Sequence, residues 1–404
     1  MDMNVTEIAN FIEKCTGCNA CYSVCPNDAI YMKKNDEGFL YPLVDKNKCN
    51  GCRDCLDVCQ IYNTDLKTHR MNKIFAYQSK DNNSLIRATS GAAFPDIAKW
   101  IVNKKGTVFG AAYDDDMNVV HIGVSKDSDL TKFNGSKYVQ SNIGNTYEQA
   151  QKHLEHGKWV LFSGTPCQIR GLYLFLGKDY DKLLTIDVIC YGVPSGMLFK
   201  KYIELVESKE KAKIIDFKFR DKRKYGWSHT VVIKFKKKSG EIYEKIYGNE
   251  YTNLYYRAWG YDCLRDSCYQ CEMVSKDRVS DITIGNFWGI ERVSKTFDCK
   301  AGVSIVSINN EKKNHIIDIL NNSGILEEQG WEMIDKIQHG LRGAKDRPPN
   351  RDVVYNELSK GYIGMINNLY PLKLKNKIAN KLPLRVVNFL AHLDGIRQKI
   401  INKG

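Results

Sequence analysis

Cys15-Thr16-Gly17-Cys18-Asn19-Ala20-Cys21-Tyr22-Ser23-Val24-Cys25-Pro26 and Cys49-Asn50-Gly51-Cys52-Arg53-Asp54-Cys55-Leu56-Asp57-Val58-Cys59-Gln60 are two copies of one spacing. In each, three cysteines stand two residues apart and a fourth follows after three more. Iron in a 4Fe-4S cube takes soft thiolate ligands. A tight loop can wrap three closely spaced thiolates around one cube, whereas the fourth lies out of reach and ligates the other cube. The spacing therefore predicts Cys15, Cys18, Cys21 and Cys59 on a first cluster, and Cys49, Cys52, Cys55 and Cys25 on a second. Zinc sites commonly use two CxxC pairs far apart, a pattern the repeat does not follow. Gln60 stands where a proline often follows the last cysteine, which loosens a turn and removes no ligand.

Working outward, residues 1–65 read as a dicluster ferredoxin module, and 404 residues leave room for one or two further domains. Fourteen cysteines in a chain that is 43% hydrophobic and 26% charged point to metal rather than disulfides if the compartment is reducing. No stretch approaches the ~18 apolar residues of a membrane span. The start lacks the basic and apolar segments of a signal peptide, so a cytoplasmic location is expected. The net charge of +13 is uneven: residues 1–65 carry −4 and the remainder +17. A basic body attracts an acidic electron carrier, an anionic substrate or an anionic membrane surface. The basic residues form no recognisable nucleic-acid-binding module, so no nucleic-acid partner is expected.

After a polar linker around 63–72, residues 74–78 read as a strand, and Thr89-Ser90-Gly91 precedes a helix ending near Lys104. Such a turn is either an ordinary cap or a phosphate cradle. Residues 106–124 read as a hairpin with Asp114-Asp115-Asp116 at its tip. The strand Lys158–Ser163, a helix to Gly177 and the strand Leu183–Ile189 read as a βαβ crossover. Cys167 and Cys190 then follow the carboxyl ends of two parallel strands, where open α/β sheets place their sites. Residues 213–247 turn to β character around the basic turn Lys236–Gly240. Cys263, Cys268-x2-Cys271 and Cys299 come next. Cys268 and Cys271 are half a metal site, and Cys167 with Cys190 would complete four thiolates. Asp281–Gly285 reads as a strand running into Asn286-Phe287-Trp288-Gly289. No GxGxxG, P-loop or HExxH is present, so no nicotinamide-binding domain is indicated.

Several of these stretches, in this order, resemble the coenzyme F(420) hydrogenase/dehydrogenase beta-subunit family over roughly residues 70–310. They are Thr89-Ser90-Gly91, Ser136 to Ser141, Ser163 to Gln168, Cys190 to Ser195, Arg265 with Cys268 and Cys271, and Arg278 to Gly289. The resemblance implies a flavin, FAD rather than FMN, and an iron–sulfur cluster. It implies flavin contacts at Thr89, Ser90, Gly91, Ser136, Lys137, Tyr138, Gln140 and Ser141, with Lys137 near a phosphate or the ring. It also implies that Cys167, Cys190, Cys268 and Cys271 ligate a third cluster. Ala92 departs from a usual Gly, Tyr191 from a usual His and Asn286 from a usual Asp.

The expected architecture is α+β: a bacterial dicluster ferredoxin fold (1–65), a mixed α/β flavin-binding body with a β-rich insertion (73–310), and a helical basic C-terminal region (311–404). The expected activity is an oxidoreductase. It takes electrons from a ferredoxin-like donor through 4Fe-4S clusters to a flavin and a small organic substrate, with Tyr191 or His229 as proton donor. The rival is a non-catalytic electron-transfer subunit docking a separate redox enzyme; a zinc-stabilised binding protein is a third possibility. Leu372–Lys403 reads as a basic amphipathic helix that packs on the body or touches an anionic membrane.

Overall fold

The computed structural model describes residues 13–371, apart from 72, 250, 251, 260 and 261, and, beyond them, Val386. The expected amphipathic helix at 372–403 therefore lies outside the described residues, except for Val386. Among the described residues no helix is long and apolar enough to cross a membrane.

The N-terminal part pairs two short helices, α1 (Ala20–Val24) and α2 (Asp54–Asp57), with an antiparallel hairpin of β1 (Ile30–Lys34) and β2 (Leu40–Val44). Each helix begins after a residue with left-handed backbone, Asn19 at φ 67° and Arg53 at φ 72°. Gly17 and Gly51, two residues earlier, also have positive φ, at 68° and 78°. These bends turn the chain around three closely spaced thiols. Ile30, Cys55 and Leu56 form its small apolar interior, while Ala20 and Phe39 are buried against the body.

The strand β3 (His69–Arg70) leads into the body, a sheet of eight strands. In chain order these are β4 (Lys73–Ser79), β5 (Thr107–Tyr113), β6 (Val119–Val124), β7 (Val160–Gly164), β8 (Leu183–Val188), and, after a three-stranded insertion of β9 (Lys213–Lys218), β10 (Val232–Lys236) and β11 (Ile242–Ile246), the strands β13 (Ile282–Asn286), β14 (Ser304–Ile308) and β15 (Gly324–Gln329). The small β12 (Asp277–Arg278) pairs with β3. The sheet order is β15-β4-β14-β13-β8-β7-β5-β6. The four central strands β13, β8, β7 and β5 run parallel, and the flanking pairs are antiparallel. Leu183, Leu184, Thr185, Ile186 and Asp187 of β8 are all buried, as expected of a strand covered on both faces.

Helix α4 (Ala93–Asn103) packs its Ile97 and Ile101 on one face of this sheet, and α5 (Thr146–Glu155) with α6 (Pro166–Leu176) covers the other. Ahead of α4, α3 (Asn82–Arg87) is a short helix capped by Asp81. The β7–α6–β8 unit is the crossover expected from its apolar spacing, with β7 and β8 in parallel register from Val160↔Leu183 to Gly164↔Asp187. The sheet extends beyond the boundary drawn at 310: β15, Gly324–Gln329, pairs along β4 at its edge. Six residues ending in Glu-Glu-Gln carry too little periodicity to declare a strand. The helices 331–337, 351–360 and 362–369 follow. The last two pack on α7 (Gly196–Glu210) and the β9–β11 sheet through Tyr355, Leu358, Tyr362, Met365 and Ile366.

Candidate functional site

Two cavities lie in the N-terminal part, and each is lined by four thiols from both copies of the repeat. One, about 440 Å³ including space open to solvent, is bordered by Cys49, Cys52, Cys55 and Cys25. The other, about 370 Å³ on the same basis, is bordered by Cys15, Cys18, Cys21 and Cys59. Burial pushes the thiols up, to about 11 at Cys18 and Cys59 and about 12 at Cys55. Thiols so desolvated stay ionised only against a metal. Among the described residues no three His, Cys, Asp or Glu side chains converge on a single-ion site. A cube spreads its thiolates more widely than one ion does, and walls of four thiols around a shared space suit it.

A third set of thiols meets at the carboxyl edge of the parallel strands. Cys167 is the second residue of α6, directly after β7. The helix starts at Pro166, and the Thr165 N–H donates to Gln168 Oε1 at 3.0 Å. Cys190 follows β8 across Ile189, and the Gly192 N–H lies 3.4 Å from its sulfur. Cys268 and Cys271 sit on a short helical turn, Asp266–Gln270, and its end. Cys190 feels the charges of Cys268, Cys167 and Cys271, and Cys268 those of Cys167 and Cys271. Burial raises Cys167 to about 11 and Cys268 to about 12. Of the other two cysteines, Cys263 is fully buried in the aromatic core beside Tyr355, and Cys299 lies among the apolar residues near Phe297.

The first quartet abuts the third. Cys18 senses the charge of Cys167, and Gly171 of α6 rests against Cys18. Gln60 fills the gap: its amide donates to Thr16 Oγ1 at 2.7 Å and to the Cys167 carbonyl at 3.4 Å. The residue noted in the sequence only as a missing proline is thus the hydrogen-bonded link between the two sets.

The eight expected flavin contacts divide. Thr89 Oγ1 accepts the Ser136 N–H at 2.7 Å, so that pair is together. Ser90 Oγ donates to the Val303 carbonyl, and the Gly91 N–H donates to Ser304 Oγ. A Cβ on Gly91 would lie 2.0 Å from the Tyr77 carbonyl oxygen, so the turn is wedged between β4 and β14. Ala92 takes the left-handed φ of 67° that a glycine would hold without strain. Gln140 instead faces the ferredoxin part, donating to the Thr16 carbonyl at 2.9 Å, while Ser141 is held by Gln168. Tyr138 packs on Trp259 and Phe219. Lys137 donates to the carbonyls of Asn134 and Gly135, at 3.4 and 3.3 Å, and lies over the Tyr113 ring, and desolvation holds its amine down at about 8.

Sequence reasoning singled out Trp288 and His229 but missed Arg220, Lys222 and Trp227 behind this turn. Lys222 donates to the carbonyls of Ser90 and Ala301, at 2.8 and 2.5 Å, and burial followed by the Arg220 charge lowers it to about 7. Arg220 lies 4.6 Å over the Trp288 ring, and its two terminal nitrogens are buried with no hydrogen-bond partner among the described residues. Trp288 stacks on Trp227 at 4.1 Å, and the Trp227 indole donates to the Thr89 carbonyl. His229 stacks on Trp288, whereas the Tyr191 hydroxyl donates to Gln338. The signal was present in Arg220-Asp221-Lys222, but a basic run in a strand-rich segment is usually a solvated edge.

Residues 157–333 match the family described as the C terminus of the beta subunit of coenzyme F420 hydrogenase/dehydrogenase. Residues 14–62 match the 4Fe-4S dicluster domain. The chain thus carries the C-terminal region of that beta-subunit family behind a dicluster domain. A chain of the xenon-derivatised F420-reducing NiFe hydrogenase complex from Methanosarcina barkeri is similar at 17% identity and a TM-score of 0.43. The similarity covers 73% of this chain and 94% of that chain. No protein of curated function matches. The family is that of a redox-enzyme subunit, and this chain is an iron–sulfur electron-transfer protein holding 4Fe-4S clusters.

Proposed function

We propose that the chain is a flavin- and iron–sulfur-dependent oxidoreductase that moves electrons between a ferredoxin-like partner and a small organic substrate. The observation that carries the reading is the adjacency of the thiol sets: the first quartet borders Cys167, joined by Gln60. Cys25, Cys49, Cys52 and Cys55 would hold one 4Fe-4S cluster and Cys15, Cys18, Cys21 and Cys59 the next. Cys167, Cys190, Cys268 and Cys271 would hold a third. When bound, the clusters supply one-electron carriers and the flavin a carrier able to collect two.

A flavin is favoured by charge. Lys137, Lys222 and Arg220 are desolvated cations, and among the described residues no carboxylate forms an ion pair with any of them. Buried cations are ordinarily paired, and a phosphate-bearing cofactor supplies the missing charge. Lys222 and Arg220 would hold the phosphates, with Thr89 and Ser136 fixing the loop and Trp288 offering an aromatic face. Tyr191 and His229 are the two candidates for placing a proton.

The second reading, a non-catalytic subunit that docks a separate enzyme, is favoured by Gln140 and Ser141, whose polar groups are already bonded within the protein. The discriminating experiment is anaerobic purification with flavin and iron counted on one sample. About one flavin and roughly twelve iron atoms per chain support the reductase with three 4Fe-4S clusters. About eight iron atoms and no flavin after reconstitution would sink both the reductase and the third cluster.

A further inference from the structure

Arg265 lies in the seam between the two halves of the molecule and is 1% exposed. Its Nε donates to the Cys15 carbonyl at 2.7 Å, and its terminal nitrogens donate to the Leu40 carbonyl at 2.9 Å and Gln140 Oε1 at 3.2 Å. The nitrogen bonded to Leu40 also lies 3.7 Å from the Cys15 sulfur. The Tyr41 ring covers the guanidinium at 4.0 Å. Gly17 makes the approach possible, since a Cβ there would come within 2.9 Å of Nη1.

No carboxylate cancels this charge among the described residues. The nearby Asp266 turns to Arg347 at 2.9 Å, and Glu37 turns to Arg351 at 2.6 Å. Among the described residues no lysine or arginine side chain hydrogen-bonds to a thiol of the outer quartet, and Cys49 and Cys52 are exposed. Arg53, beside Cys52, is exposed to water, where its field is screened. Arg265 acts at short range with water excluded.

We infer that Arg265 sets the direction of electron flow, making the inner quartet the easier of the two to reduce. The assignment rests on the ligand sets proposed above. A thiolate-bound cluster gains negative charge on reduction, and nearby positive charge and hydrogen bonds to its sulfurs raise its potential. Electrons from a one-electron donor protein reach the exposed Cys49–Cys52 face and fall inward. Each step moves one electron, oxidising the outer centre and reducing the inner one, with no proton transferred and no bond made. The outer centre is thereby the docking point for the donor.

The test is an EPR-monitored potentiometric titration of the full chain, with R265Q, R265K and R351Q beside it and C52S identifying the outer signal. R265Q is expected to lower the inner potential relative to the outer by at least tenfold in their exchange equilibrium, about 59 mV for one electron. R265K, which keeps the charge, retains the gap, and R351Q, which opens the seam elsewhere, leaves it unchanged. Equal movement of both centres in R265Q, no movement at full iron content, or an equal effect of R351Q would overturn the inference. If R265Q fails to load iron, R265K decides, since loss of the gap in that variant excludes charge as the cause. Only the two ferredoxin centres are read, so the absence of flavin or of a third cluster would defeat the reductase and leave this result standing.

Discussion

Gly171, midway along α6, lies so close to Cys18 that a Cβ on it would come within 2.9 Å of the Cys18 Cβ and 3.1 Å of its sulfur. The helix that carries Cys167 at its start therefore also supports the first ferredoxin loop. A glycine inside a helix ordinarily costs about 1 kcal/mol relative to alanine. Here the missing methyl is what allows the two halves to touch.

Gly171→Ala is accordingly expected to destabilise the protein by about 1–3 kcal/mol through overpacking. Denaturant midpoints measure it. A gain in stability, as at an unobstructed helix position, would contradict the close contact.

Arg351 and Glu37 form a second tie across the seam, with two bonds at 2.6 and 2.7 Å and the arginine side chain fully buried. Glu37→Gln strands a buried charge and should cost about 3–5 kcal/mol, whereas the double variant E37Q/R351M should cost less than the two single changes combined. Strict additivity in a double-mutant cycle would show that the pair is not coupled.

Lys222 predicts a pH signature. Its folded value is depressed to about 7, chiefly by desolvation, from 10.5 when free. Below pH 7 both states carry the proton and the penalty of burying the charge is full. Between about pH 7 and 10.5 the unfolded chain binds the proton that the folded chain lacks, so this group makes stability rise with pH. Lys137, held at about 8, adds in the same direction. Urea midpoints of the flavin-free protein at pH 6.5 and 9 should differ less in Lys222→Met than in the parent.

Cys167→Ser and Cys268→Ser should each lower bound iron by about four atoms while leaving about eight on the ferredoxin quartets. An iron count equal to that of the parent would remove these two thiols from any cluster.

Much of the ferredoxin part was legible because its information is local. Spacing of two and three residues determines which thiols one loop can present, and the two cavities divide the eight cysteines as that spacing requires. The crossover from β7 to β8 was legible too, since buried parallel strands are short apolar runs. The expected flavin contacts were not set out by local spacing in this way. Gln140 lies within the same short stretch as Ser136 and Lys137, yet it faces Thr16 and Arg265 because the ferredoxin part covers that side.

By itself the sequence determined what chain geometry over a dozen residues can dictate: two loops of thiols, a βαβ unit, and cysteines at strand ends. Tertiary structure alone decided which distant groups share a space. Cys167, Cys190, Cys268 and Cys271 come from three separate segments, and Arg265 meets Cys15 across 250 positions. Such meetings depend on how whole elements pack, because burial in a common interior brings side chains together regardless of their separation along the chain. That packing also excludes water from the charge of Arg265, which gives a single guanidinium its leverage over the neighbouring thiols.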